Sequence, residues 1–270
     1  MPASNGINAL ERLRFRWRGD LLELKTLRKL ASLYFAQKRW HEGLQTLRIA
    51  TENFPSDDTA GKAQDDMRAA FVDLYLKGKA DAMPPVEALS LFYDFIELTP
   101  IGPDGDEMIR HMSDRLVAVD LLGPASDLLN YQITKRLDGV ARAQVATKLA
   151  LVQLMDHKPQ AALETLRNTQ ISTLPDDVNH QRLLLEASAL AAEKKWDQAL
   201  DLIGVDQLPD TVRLRADIYW ESGNWAVAGQ KTEEALGTKW SDAAPLSAED
   251  RQQAMRAAVA YSLANDEASL

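Results

Sequence analysis

Few side chains in this sequence are suited to catalysis, and their spacing argues against a shared site. Four histidines, His41, His111, His157 and His180, are the only imidazoles available for proton transfer or metal ligation. None shows the H-E-x-x-H spacing that turns two ligands and a base onto one helix face. His41 and His157 fall near turns, where a solvated imidazole needs no further role. There is no cysteine, which removes disulfides, thiolate nucleophiles and cysteine-ligated zinc together. Asp104, Asp106 and Glu107, in the run PDGDEM, faintly suggest calcium. They lack the oxygen spacing and the closing glutamate of a calcium loop. A turn followed by an acidic first helical turn, which complements the helix dipole, accounts for them. No glycine-rich phosphate loop and no Ser/His/Asp arrangement occurs. The reading is a non-enzyme with no catalytic residue, no metal site and no cofactor.

The most unusual stretch is RLRFRWR, Arg12 to Arg18, in which arginines alternate with Leu13, Phe15 and Trp17. Arginines interleaved with aromatics can grip phosphates and stack on bases. Taken alone the alternation is strand-like, but Leu10, Leu13, Trp17 and Leu21 also make a helical stripe, and helix is the reading adopted. The tripeptide Arg18-Gly19-Asp20 is read as a turn in which Asp20 caps the next helix. The net charge of −9 is uneven: residues 1–50 carry +6 and residues 51–270 carry −15. A basic front end on an acidic body disfavours whole-chain binding to nucleic acid and leaves residues 12–48 able to meet something anionic.

The elements that hold these residues are helices. No run approaches the roughly 18 apolar residues of a membrane span. The first twenty residues have no apolar core ahead of the arginines, so a signal peptide is not expected and cytoplasm and periplasm both stay open. Leu27, Leu30, Ala31 and Tyr34 follow the i, i+3, i+4, i+7 rule and predict one buried helical stripe; Gly43, Leu44, Leu47 and Ala50 predict a second. Pro55 and Pro100 end second helices, and Pro85 and Pro159 suit helix starts. Strict alternation does not persist, so sheets are not expected.

The small residue of the second stripe recurs. Gly43, Ala88, Ala125, Ala162, Ala199 and Ala228 are separated by 45, 37, 37, 37 and 29 residues, the period range of stacked helical hairpins. The pieces KLA and LQTLR, at Lys29–Ala31 and Leu44–Arg48, return as KLA and LETLR at Lys148–Ala150 and Leu163–Arg167, both shifted by 119. Each small residue is read as a crossing point where two helices approach closely.

This pattern resembles the tetratricopeptide repeat. The first copy matches through Leu27, Leu30, Ala31, Tyr34, Gly43, Leu47, Ala50 and Pro55. The fourth matches through Ala146, Leu149, Ala150, Ala162 and Leu166, and the fifth through Leu183, Ala187, Trp196, Ala199 and Ile203. The sixth has Val212, Ala216, Tyr219, Trp225 and Ala228; the second and third are looser. The resemblance implies an all-α, right-handed α-solenoid of about six stacked antiparallel hairpins, one domain over residues 1–270. Residues 1–19 would be an extension with a lone helix, 20–240 the repeats, and 246–270 an incomplete terminal repeat in which Ala258 and Tyr261 match Ala31 and Tyr34. That half-unit suggests part of a longer protein, in the manner of long bacterial members of the family. The segment KGKADAMPP, Lys77 to Pro85, is expected to be an inserted loop outside the packed core.

The resemblance also implies where a partner sits, because first helices of the pairs line a concave groove. By register the groove-facing residues are Lys25, Arg28 and Ser32, then Arg110 and Asp114, then Arg213, Asp217 and Trp220. One subgroup of the family clamps acidic chaperone tails with Lys and Asn; Arg28 and Ser32 stand where that clamp needs them, so the clamp is not carried over. The expected partner is a protein or peptide segment, with no cofactor. The alternative is nucleic acid or an anionic surface at the basic region, residues 12–48. Trp225 is expected to be buried between helices and Trp220 to stand in the groove.

Overall fold

The computed structural model describes residues 3–16, 21–54, 58–237, 239 and 245–269. Among them there are fourteen α-helices and no strand; the chain is all-α. It divides into two compact units, residues 1–120 and 121–270. The first holds α1 (Ala3–Arg16), α2 (Leu21–Ala36), α3 (Trp40–Asn53), α4 (Asp58–Tyr75), α5 (Pro85–Asp94) and α6 (Pro103–Ala118). The second holds α7 (Leu122–Lys135), α8 (Gly139–Met155), α9 (Pro159–Asn168), α10 (Asp176–Ala192), α11 (Trp196–Ile203), α12 (Pro209–Glu221), α13 (Trp225–Leu236) and α14 (Ala248–Leu263). Trp17, Arg18, Gly19, Asp20 and Pro55 lie outside the described residues. The arginine-rich stretch is helical as far as Arg16.

Both predicted stripes are buried. Leu27 and Leu30 are fully shielded, Ala31 and Tyr34 nearly so, and Leu44, Leu47 and Ala50 pack among the core residues of the same unit. Each buried leucine contributes about 1.5–3 kcal/mol relative to exposure. Tyr34 donates its phenolic hydrogen bond to Glu11 on α1; burial and that carboxylate push the phenol up to about 12. Gly43 is a crossing point in the literal sense, since a Cβ there would lie 2.3 Å from the Phe35 ring.

The α2–α3, α6–α7, α8–α9, α10–α11 and α12–α13 turns share one backbone device. Lys38, Asp120, His157, Lys194 and Asn265 have left-handed backbones, with φ of 59°, 62°, 54°, 61° and 54°, and Gly223 takes the same role at φ 79°. The residue after the turn residue donates its N–H to the carbonyl five back: Arg39 to Tyr34, Lys158 to Gln153, Lys195 to Leu190, Asn224 to Tyr219 and Asp266 to Tyr261, at 2.8–3.0 Å. These bonds satisfy carbonyls that a helix end leaves open. Counting from Lys38, Asp120, His157, Lys194 and Gly223, the small residue of the following helix always comes five positions later. Only glycine adopts this backbone without strain, and an L residue loses about 1–2 kcal/mol there, of which glycine's chain entropy offsets about 0.5–1. Lys194 is exposed, so Lys194→Gly is expected to stabilise by about 0.5–1 kcal/mol. A rise in the urea midpoint reads this; a fall would mean that the lysine side chain holds the turn.

The Lys77–Pro85 loop departs from expectation. Gly78 holds the left-handed position but precedes Ala88 by ten residues. The surplus winds into a 3-10 turn, Lys79–Ala82, whose Ala80 is only 1% exposed. Arg115 on α6 donates to the Met83 carbonyl at 3.0 Å, and Lys79 binds Asp73 at 2.6 Å. The loop is part of the packed unit because a small apolar residue and a carbonyl at its tip both find partners.

Trp225, expected to be buried, also differs from expectation. Trp220 and Trp225 are both half-buried and meet edge to face, centroids 5.3 Å apart. Phe35 and Trp40 form the corresponding pair in the first unit at 5.7 Å. Both pairs bracket a left-handed turn residue, five positions apart, so the second aromatic covers the turn instead of entering the helix interface.

Two arginines in the second unit are buried. Arg182 on α10, 7% exposed, donates to the carbonyls of Ala143 and Leu166 and to the hydroxyls of Thr147 and Thr169. Arg215 on α12 donates to the carbonyls of Gly204 and Asp206 at 2.8 and 2.9 Å. Leu166, Gly204 and Asp206 lie at or just past a helix C-terminus, the negative end of the dipole, whereas Ala143 lies near the start of α8. Burial lowers the Arg182 pKa, and nearby Glu186 opposes that shift.

Candidate functional site

A cavity of about 650 Å³ in the first unit lies along α2, α3 and α4. Helix α2 supplies one rim, because Lys25, Arg28, Lys29 and Ser32 recur at helical spacing on the face opposite its buried leucines. The floor is Ala31 and Phe35 from α2, Leu47 from α3, and Ala69 and Ala70 from α4. Trp40 and Lys79 close one end, the ammonium 5.9 Å from the indole centroid.

Two of its cations are fixed. Arg28 donates through Nε and a terminal nitrogen to Asp66 on α4, both at 2.7 Å. Lys79 and Lys77 bind Asp73 at 2.6 and 2.7 Å, and their hydrogen bonds hold that carboxyl below its ordinary range. Lys25 and Lys29 have no carboxylate partner among the described residues. Ser32 donates to the Lys29 carbonyl at 2.7 Å. Four cations against two carboxylates leave the lining at +2, in a chain of net −9. A second hollow of about 400 Å³ uses Trp40 as a shared wall, with Arg39, Glu42, Glu87 and Leu91 around it.

The cavity exists because α4 presents alanines. In the second unit the analogous aromatic pair is covered: Arg256 on α14 lies 4.8 Å over the Trp220 ring and pairs with Asp217. Nothing of that length reaches Phe35 from Ala69 or Ala70, and the space beside the ring stays open.

The residues expected in a groove therefore fall into three groups. Lys25, Arg28 and Ser32 line the cavity together. Arg213, Asp217 and Trp220 gather where α12 faces α14, with Arg213 bound to Glu249 at 3.2 Å and Trp220 under Arg256. Arg110 and Asp114 lie on α6, away from the cavity lining, and Arg110 bonds Glu107 in its own helix. Sequence reasoning missed Lys29, Phe35, Trp40 and Lys79; the Phe35-to-Trp40 spacing across a turn was the available signal. His41 sits exposed 3.5 Å from Asp94, and among the described residues no three His, Asp or Glu side chains gather as for a metal ion. No described helix is long and apolar enough to cross a membrane.

No protein-family model matches this chain, and no curated protein matches it as a relative.

Proposed function

We propose that the chain is a tetratricopeptide-type right-handed α-solenoid that serves as a non-enzymatic scaffold, holding a protein or peptide segment along the first helices of its pairs. One observation carries this reading: the cavity of about 650 Å³ where Lys25, Arg28 and Ser32 meet Phe35 and Trp40. An apolar floor edged by a few convergent polar groups is what a recognition pocket needs. Its chemistry favours a segment that sets one large apolar side chain beside an acidic one. The side chain would cover Phe35 and Leu47 while the carboxylate meets Lys25 and Lys29, neither of which must first release an internal partner.

The test is a peptide array probed with the wild type, with Lys25→Glu/Lys29→Glu and with Ala70→Trp. Peptides pairing an acidic with a large apolar residue should bind the wild type and quench Trp40. The double charge reversal should weaken them about tenfold or more, as loss of a charged contact does, and Ala70→Trp should block the floor. Equal binding by all three proteins would remove the cavity from consideration. Affinity for a single-stranded oligonucleotide that falls steeply with salt would instead favour the basic segment, residues 12–48.

A further inference from the structure

Two helix faces in the chain match one another, one on α1 and one on α14, and two tyrosines reveal the match. Tyr34 on α2 donates to Glu11 on α1 at 2.5 Å, and Tyr261 on α14 donates to Glu233 on α13 at 2.7 Å. Each tyrosine stands four residues before a left-handed turn residue, Lys38 or Asn265. Helix α1 thus stands to α2 as α13 stands to α14, in the position of the second helix of a preceding pair.

Aligning Glu11 with Glu233 sets Gly6 on Ala228, the small crossing residue of its own pair. The positions that follow agree: Gly6, Leu10 and Leu13 on α1 correspond to Gly43, Leu47 and Ala50 on α3. On α3 these three are buried against α2, whereas on α1 all three remain half-exposed. By the same register Ala254, Ala257, Ala258 and Tyr261 on α14 correspond to Leu27, Leu30, Ala31 and Tyr34, the face of α2 that α3 covers. On α14 these four line, with Leu236, a groove of about 410 Å³ between α13 and α14, and Ala258 is exposed.

Size and charge both fit. Where the α2–α3 pair sets leucines against Ala50, α14 has the smaller Ala254 and Ala257 and α1 the larger Leu13, an exchange that preserves packed volume. Helix α1 has net charge +2 through Arg12, Arg14 and Arg16, and residues 245–269 have −2. Antiparallel seating brings those arginines to the first turn of α14, with Glu249 and Asp250. Arg251 is the cation within that turn. Glu249 now meets Arg213 in an exposed pair, and Asp250 binds Lys239.

We propose that α1 of one copy docks in the α13–α14 groove of a second copy, so that the protein self-associates head to tail. The contact is heterologous, and every addition leaves one α1 face and one groove open until a ring closes.

Sedimentation of the whole chain at rising concentration tests this. The wild type should grow beyond the 30.0 kDa of one chain, more so at low salt. Leu13→Glu should disable the α1 face and Ala258→Arg the groove, and each alone should sediment as a monomer. Mixed one to one they retain a single intact interface and should form a complex of two chains that grows no further. Arg16→Glu, at an exposed position, serves as a second α1 variant that leaves apolar packing untouched. A wild type that stays monomeric at its highest soluble concentration, association that survives both variants, or a mixture without the two-chain complex each overturns the proposal.

Discussion

Gly43→Leu is expected to lower the stability of the first unit by about 3 kcal/mol, at the upper end of the usual cost of overpacking. A Cβ at this position would stand 2.3 and 2.5 Å from two atoms of the Phe35 ring, closer than nonbonded carbons come. Relief requires Phe35 to swing into the cavity that it lines, giving up its contact with Trp40. The remainder of the leucine then enters a helix crossing with no room for it. Gly43→Ala should act in the same direction, by about 1–2 kcal/mol. The double variant Gly43→Ala/Phe35→Ala should cost less than the sum of its parts, since the second change removes the clash. Thermal denaturation gives all three numbers, and a Gly43→Leu protein that melts with the wild type would mean that α3 does not cross α2 here. The same variant should lose peptide binding, because the displaced ring fills the pocket.

Arg182→Ala should have a comparable effect in the second unit, about 1.5–3 kcal/mol, the range for hydrogen bonds made by a charged group. The guanidinium is the partner of two carbonyls and two threonine hydroxyls on α8, α9 and the residue after α9. Its removal leaves the Leu166 carbonyl at the end of α9 with only the long 3.4 Å bonds from Thr169, and a poorly satisfied buried group costs up to about 1–3 kcal/mol. Arg182→Lys should recover little, because one ammonium lacks the planar fork that reaches both carbonyls. Urea denaturation reads the change, and a wild-type midpoint in Arg182→Ala would show that water replaces the guanidinium.

The helices and their buried faces were legible because a 3.6-residue period of leucine and alanine leaves few alternatives. The turns were not. Lys, Asp, His and Asn all occupy the left-handed position, so no residue type marks it; only its constant distance from the next small residue does. The cavity was half legible: spacing set Lys25, Arg28 and Ser32 on one face, but the hollow depends on Ala69 and Ala70, and two alanines on a neighbouring helix carry no signal of their own. Arg182 was illegible for a different reason. In the run QRLLLEASALAA an arginine reads as a surface residue, and its burial follows from carbonyls elsewhere in the chain that need a donor. Trp220 and Trp225 were read as independent, although the same five-residue interval separates Phe35 from Trp40.

The left-handed turns bear on how quickly such a chain finds its structure. From Tyr34 to Arg39, or from Leu190 to Lys195, a reversal is complete within six residues, and a loop that short sacrifices little entropy on closing. A helix leaving the turn meets its partner at once, before any distant segment has been found. Chains whose contacts are close in sequence fold fastest, and here the first encounter of each pair is written into the turn between its helices.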